Sequence, residues 1–220
     1  MSPRPNVDLD RIRRELGSSV VSDLLDAQGL RHQCLGPGLA PLDRDDVIVG
    51  WAFPVTTQRM YDIPEKPFVG LIAALDEIGA DEVFVTPTAR AVDMAVWGEL
   101  LSTACQVRGA AGAITDGLVR DTRQVRGLGF PVISAGTIPY DSMGRHEIVA
   151  LRVSCVIDGV RIEPGDLLIG DCDGVVVVPE RLVEATIAAA QEKRAGEVAF
   201  RTAVADGMPA SEAFATFGVL

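Results

Sequence analysis

The sequence predicts an α/β/β fold: one compact α/β domain over residues 1–220, with a C-terminal helical extension at about 180–220. Three observations predict it. Between about residues 68 and 134, helical spacing alternates with short apolar runs, the pattern of strand–helix units. Beyond residue 146 the spacing tightens into apolar stretches separated by "DG" and "PGD", which mark turns between antiparallel strands. The last forty residues return to helical spacing, and no repeat or low-complexity linker divides the chain.

The elements follow in order. "DLDRIRREL" starts with Asp8 as N-cap of a short helix. "SSVVSDLLDAQG" pairs Val20 with Leu24 and Val21 with Leu25 at i,i+4, and Gly29 stops it. Residues 30–46 read as loop. "VIVGWAFPV" is a strand that Gly50 and Pro54 mark as bent or at an edge. "FVGLIAALDEIG" is a helix ending at Gly79, and "EVFVT" is a short buried strand. A helix from about Gly98 to Arg108 precedes the strand "GAIT", which is expected to run on to the Arg120–Asp121 pair. The helix "DTRQVRGLG" and the strand "PVIS" come next, then a loop over 135–147. "EIVALRVSCVI", "VRI", "LLIG" and "GVVVVP" form the β-rich part. Two helices close the chain, at about 180–195 and 197–206. The first covers the sheet with Leu182, Val183, Ile187 and Ala190.

Composition excludes several functions. With a formal charge of −11, the chain lacks the basic clusters that phosphate backbones require, so nucleic acid is not an expected partner. No apolar run approaches the roughly 18 residues of a membrane span. The first residues lack the apolar centre of a secretory signal, so the expected location is cytoplasmic. Cys34, Cys105, Cys155 and Cys172 form no CxxC pair and read as buried free thiols. Lys66 and Lys193 lie in polar or Pro-bounded contexts unsuited to a Schiff base, and two histidines cannot build a three-histidine zinc site. No G-x-S-x-G elbow is present to position a nucleophilic serine. An enzyme built from this chain must therefore work with carboxylates, arginine and backbone amides, with or without an oxygen-bound metal.

"GLVRDTRQV" and "VWGELLSTACQVRG" supply such groups. A helix starting at Gly98 offers unpaired N–H groups that attract an anion. Arg120 can fork onto a carboxylate or oxyanion, and Asp121 can hold a hard divalent cation. Read locally, Asp121 also suits an N-cap of "TRQVRGL", Arg120 a surface ion pair, and Glu99 a residue favoured by the helix dipole. "DCDG" at 171–174 reads as a tight turn, and His146 as a loop or strand-edge residue.

Gly98-Glu99-Leu100-Leu101, then Arg120-Asp121 twenty residues after Glu99, then "GFPVISAGTIP", resembles the RraA-like superfamily. The "SDLLDAQG" helix and "IEPGDLLIGDCDGVVVVP" extend the resemblance over most of the chain. It implies a swivelling-domain-like fold and the activity of the divalent-metal 4-hydroxy-4-methyl-2-oxoglutarate/4-carboxy-4-hydroxy-2-oxoadipate aldolases, which release pyruvate, with oxaloacetate decarboxylation as a side activity. By that resemblance Asp121 binds Mg²⁺ or Mn²⁺, and Arg120 holds the 2-oxo acid end and its enolate. Backbone amides at Glu99, Leu100 and Leu101 hold the carboxylate, and Glu99 orients a water at the metal. A homotrimer or dimer of trimers is implied, in which Glu197 of a neighbouring subunit completes the site. Two departures stand out: the aldolases usually carry aspartate in place of Glu99, and an acid in place of Gln124. The superfamily also contains regulators of ribonuclease E that lack the intact Arg-Asp pair, so a non-catalytic protein-binding role is the alternative. The loops 30–46, 59–67 and 135–147 are expected to shape the rest of the substrate site, with Arg31, Arg59 and Arg145 as clamps for a second carboxylate.

Overall fold

The computed structural model describes residues 4–219; positions 1–3 and 220 of the 1–220 span lie outside the described residues. Asp8 Oδ1 accepts a hydrogen bond from Arg11 N at 2.8 Å and starts α1 (Leu9–Glu15), as the sequence predicts. The remaining elements, in chain order, are α2 (Ser18–Ala27), β1 (Ala40–Pro41), β2 (Ile48–Arg59), α3 (Val69–Glu77), β3 (Glu82–Thr86), β4 (Ala95–Trp97) and α4 (Glu99–Val107). Next come β5 (Gly112–Thr115), β6 (Leu118–Val119), α5 (Thr122–Leu128), β7 (Val132–Ser134), β8 (Gly136–Thr137) and β9 (His146–Leu151). The chain continues through β10 (Cys155–Ile157), β11 (Val160–Ile162), β12 (Leu167–Asp171), β13 (Gly174–Val178), α6 (Val183–Ala205) and α7 (Ala210–Phe217).

The main sheet has the order β1-β7-β5-β3-β2-β12-β13, and β9 pairs with the far half of β2. β2, β3, β5 and β7 run parallel, while β1, β9, β12 and β13 are antiparallel to their neighbours. The parallel strands are buried on both faces, which is why "EVFVT" and "GAIT" read as unbroken apolar runs. On one face, Ile157, Val160 and Ile162 of the β10–β11 hairpin pack with Leu35 and Leu39 against Val83, Ile114 and Leu168. On the other face, α1, α2 and α6 cover Trp51, Ile169 and Val176. The packing of α3, α4 and α5 there centres on Phe53, Phe84, Trp97 and Phe130. Helices, main sheet and hairpin form the α/β/β layers that the pattern predicts.

Several details correct the sequence reading. β2 is not an edge but the longest strand, with partners on both sides. Gly50 is there for close packing: a Cβ would lie 2.6 Å from Asp81 O. The loop 30–46 contains β1 and a bridge from Cys34 to Val176. "EIVALRVSCVI" is two strands, because Arg152 takes a left-handed φ of 51° and breaks it between β9 and β10. The helices expected at 180–195 and 197–206 are one 23-residue helix, α6, running through Gly196. That glycine accommodates the chain's own end, since a Cβ there would meet Val219 at 3.3 Å. The three-stranded sheet β4-β6-β8 has no counterpart in the sequence reading, whereas α7 falls within the helical extension expected at about 180–220. No helix among the described residues is long and apolar enough to cross a membrane.

Arg152's strained turn has a cause. Its guanidinium reaches Glu82, 2% exposed, with Nη1 at 2.7 Å from Oε1 and Nη2 at 3.0 Å from Oε2, and it stacks over Phe53 at 4.6 Å. Arg4 Nη2 also donates to Glu82 Oε1 at 2.7 Å, and Gly79 N to Oε2 at 2.8 Å. The guanidinium's own pKa is raised, chiefly by its hydrogen bonds to Glu82. Removing one partner of a buried pair leaves an uncompensated charge, which costs about 3 kcal/mol or more. Arg152 is 26% exposed and keeps Glu77 Oε1 at 2.8 Å from its Nε, so Glu82→Ala is expected to lose less than that limit, about 1–3 kcal/mol of unfolding free energy in urea titration. A loss below about 1 kcal/mol, typical of exposed pairs, would contradict this.

Candidate active site

The small sheet β4-β6-β8 builds the site. β4 and β6 are parallel, and Arg120 N donates to Trp97 O at 2.9 Å. Two chain exits therefore leave the sheet side by side: Gly98 into α4, and Arg120–Asp121 into α5. The pair ends β6, not β5. The strand "GAIT" stops at Thr115, a correction to the expectation that it runs on to Arg120.

Gly98 and Asp121 approach so closely that any side chain at position 98 would have to displace the Asp121 carboxylate. A Cβ there would lie 2.8 Å from Asp121 Oδ2 and 3.3 Å from Arg120 Cγ. The backbone at Gly98 is extended, so the requirement for glycine is one of space. Ser102 fixes this corner from below. Its hydroxyl donates to Gly98 O at 3.0 Å and accepts from Trp97 Nε1 at 2.9 Å, in a fully buried bond. Trp97 in turn meets Phe84 edge-on, at a 5.0 Å centroid separation, and stacks on Phe130 at 6.3 Å.

Asp121 holds the N-cap position of α5, but its side chain makes no capping bond. Its backbone is left-handed, φ 55° and ψ 31°, a conformation that costs an aspartate about 1 kcal/mol or more. The carboxylate turns away from α5 toward the start of α4, where Oδ2 lies 3.5 Å from Glu99 N. The capping role that local sequence favours is not the one this side chain takes. Arg120 extends over the same corner, with Nε 3.6 Å from Asp121 Oδ2 and Nη1 3.7 Å from Asp141 Oδ1. Glu99 lies on the first turn of α4, with Oε1 accepting from Thr103 Oγ1 at 3.1 Å.

These groups line a cavity of about 260 Å³. Gly98, Glu99, Leu100, Leu101, Arg120 and Asp121 form one side, so six of the seven expected residues come together. Phe68, Leu71, Ile72 and Leu75 give it an apolar wall, and Asp141 and Ser142 also line it. Leu100 is 73% exposed, so the mouth of the cavity is open and apolar. Glu197, the seventh, is not there. It lines a different cavity with Phe200 and Arg201 on α6, and its Oε1 is 3.7 Å from Lys193 Nζ. Gln124 is exposed on α5 and meets this corner only through its backbone N–H, which donates to Asp121 O at 2.9 Å.

The remaining candidates divide. Of the proposed clamps, Arg145 stays near the site: Nη1 donates to Asp141 O at 2.8 Å. Arg59 is closed onto Asp93, and Arg31 is exposed. Cys105 and Cys155 are buried thiols that burial pushes up to about 12, whereas Cys34 and Cys172 are exposed, against the expectation that all four are buried. "DCDG" is the β12–β13 turn, and its Asp171 receives Ser18 N at 2.7 Å. The loop 135–147, expected to shape the site, supplies Asp141 and Ser142; neither stands out in the sequence, because the loop carries no periodicity and only the fold brings it to Arg120.

The model of the RraA-like family, Aldolase/RraA, matches residues 18–177, and the chain belongs to that family. It is 30% identical over 201 residues to a protein of Halalkalibacterium halodurans named "Putative 4-hydroxy-4-methyl-2-oxoglutarate aldolase", covering 91% of this chain and 90% of that one. Among solved structures it is similar to an uncharacterized protein of Pseudomonas syringae pv. tomato. The TM-score there is 0.85 at 29% identity, over 97% and 99% of the two chains. It is also similar to RraAS2 of Streptomyces coelicolor, described as an unusual member of the RNase ES inhibitor RraA protein family. That match has a TM-score of 0.77 at 28% identity, over 90% and 97% of the chains.

The close approach at position 98 is testable by itself. Gly98→Ala is expected to fold, because its backbone is open to alanine, and to displace the Asp121 carboxylate in a crystal structure. An alanine variant whose Asp121 stays in place would contradict the packing described here.

Proposed function

We propose that this cavity is the active site of a divalent-metal-dependent lyase that cleaves a 4-hydroxy-2-oxo acid and releases pyruvate. The observation that carries the reading is the placement of Arg120 and Asp121, both uncommitted to tight partners, against the start of α4 in a cavity with an apolar wall. The name carried by the Halalkalibacterium halodurans relative supports the reaction class.

The donor chemistry fits a hard cation. Carboxylates of Glu99, Asp121 and Asp141 line the cavity, and neither thiol nor imidazole does, which suits Mg²⁺ or Mn²⁺. Asp121 would hold the ion, consistent with the habit of Mg²⁺ of taking one or two carboxylates and filling its other positions with water and substrate oxygens. When bound, the cation supplies a Lewis-acidic electron sink at the 2-oxo group.

The chain's own groups do the rest. N–H groups of Glu99, Leu100 and Leu101, at a helix start, receive the substrate carboxylate. Arg120 places a fixed positive charge where the enolate oxygen develops. Glu99, with Oε1 engaged by Thr103, keeps Oε2 for a water that removes the proton of the C4 hydroxyl. The C4 oxygen becomes a carbonyl, the C3–C4 bond pair passes to the pyruvate enolate, and protonation at C3 gives pyruvate. The wall of Phe68, Leu71, Ile72 and Leu75 lowers the local dielectric and strengthens each of these charge interactions. Oxaloacetate decarboxylation passes through the same enolate and belongs to the proposal. Because Glu197 lies on another cavity of the same chain, a role for it requires a neighbouring copy, as in a homotrimer.

The likeness to RraAS2 favours a second reading, a regulator that binds a ribonuclease. The intact Arg120–Asp121 pair weighs against it, since a surface binder needs no uncommitted carboxylate in a cleft.

Pyruvate release from 4-hydroxy-4-methyl-2-oxoglutarate and from oxaloacetate is expected with Mg²⁺ or Mn²⁺ and is abolished by EDTA. Asp121→Asn is expected to remove turnover, and Arg120→Ala to lower kcat by about 10²- to 10³-fold. Turnover indifferent to EDTA rejects the metal. No turnover, together with a stoichiometric protein partner in a pull-down, would support the regulator.

A further inference from the structure

One buried titratable group has no part in that reaction. His146 opens β9, is 9% exposed, and its Nε2 has no hydrogen-bond partner among the described residues. Leaving a buried acceptor unpaired is costly, and buried polar groups in folded proteins are as a rule hydrogen-bonded. The Pro87 carbonyl lies near the ring and favours its protonated form. With the proton on Nδ1, the neutral ring presents Nε2 as an acceptor.

Two cavities meet the ring: one of about 380 Å³ that also borders Pro87 and Arg59, and a small one of about 10 Å³, room for one water. Two walls of the small one are the hydroxyl-bearing residues Thr86 and Ser142. Ser142, with Phe68, Leu71 and Val96, also lines the candidate active site, so this small cavity sits directly behind that site's wall. The same turn joins the two. Ser142 O accepts from Arg145 N at 2.8 Å and from His146 N at 3.0 Å. Arg145 Nη1 donates to Asp141 O, and Asp141 Oδ1 faces Arg120. Residues 141–146 thus carry Asp141 at one end and His146 at the other.

We propose that His146 is a positioning residue for the candidate active site. Its Nε2 accepts a hydrogen bond from one buried water that also bonds the hydroxyls of Ser142 and Thr86, and this link fixes the 141–146 turn and holds Asp141 toward Arg120. The activity arm of the test rests on the proposed lyase reading; the structural and spectroscopic arms do not.

The surroundings keep the ring neutral. Burial is the largest influence and lowers the pKa of His146 from its ordinary 6.5; Arg59 on β2 lowers it further, while the Pro87 carbonyl and the charge of Asp116, just past β5, oppose the shift. Of the other charged neighbours in sequence, Glu147 is turned to Gly70 N at 3.1 Å and Arg145 to Asp141. A depressed folded pKa means that the link is complete at neutral pH. Its stabilisation begins to fade below the unfolded value of 6.5 and is lost as pH falls through the folded pKa. Protonation there turns Nε2 into a donor and reverses the water's orientation.

The first test is ¹⁵N NMR of the wild-type imidazole, with a high-resolution crystal structure. The Nδ1–H tautomer, a pKa below 6.5 and a water on Nε2 are expected. A pKa at or above 6.5, the opposite tautomer, or Nε2 bonded directly to protein overturns the proposal. The second test is kinetic. His146→Leu is expected to lower kcat about tenfold with KM little changed, and to shift the acid limb of the kcat profile, because small displacements of a site cost this much or more. His146→Gln, which can present an acceptor near the Nε2 position, should recover most of the loss. Wild-type kcat with an unmoved acid limb in a folded His146→Leu variant overturns the proposal. Absence of turnover in the wild type rejects the lyase reading instead, and the first test then decides the role of His146.

Discussion

The site depends on one missing carbon. Two parallel strands of two or three residues, β4 and β6, bring their ends close enough that Gly98 and Asp121 share a space with no room for a Cβ. That contact orders events on both sides. It lets the Asp121 carboxylate lie against the first turn of α4, where backbone N–H groups already favour negative charge. It also gives Asp121 a reason to adopt a left-handed backbone, because a capping side chain would point back into α5. A short strand pair has little strength of its own. The aromatic packing of Phe84, Trp97 and Phe130, tied to Gly98 through Ser102, makes the corner rigid.

How much of this was legible follows from the range of each interaction. β3, β5 and β7 announce themselves because both faces are buried and their residues form continuous apolar runs. β4, β6 and β8 have two or three residues each and no period to detect. Their pairing consists of backbone bonds between segments about twenty residues apart, and no local rule registers it. α6 runs through Gly196 for the same kind of reason. A glycine looks like a helix stop until the chain end, at Val219, is seen to pack upon it.

The site divides along the same line. Gly98 to Leu101, Arg120 and Asp121 are readable because each lies at the junction of an apolar run and a helix start, and the missing lysine and histidine chemistry points to them. The loop 135–147 is expected near the site, but Asp141 and Ser142 within it cannot be singled out, since its place is decided by β8 and β9. Local sequence also misjudged Asp121's side chain, because capping propensity is decided by nearest neighbours and this carboxylate is positioned by a contact across 22 residues.

The arginines themselves indicate where binding is to be sought. Arg152 is closed onto Glu82 at 2.7 and 3.0 Å, Arg90 is closed onto Asp158, and Arg59 onto Asp93. Each has spent its fork geometry on the fold. Arg120 has carboxylates within reach on two sides, yet its nearest nitrogen–oxygen separations are 3.6 and 3.7 Å. Two loose neighbours restrict the guanidinium to the mouth of the cavity without saturating its five donors. An incoming carboxylate or oxyanion can therefore form a bidentate contact without first breaking a tight ion pair. In a chain with net charge −11, a cation left this open beside an apolar wall gives an anion a favourable place to bind.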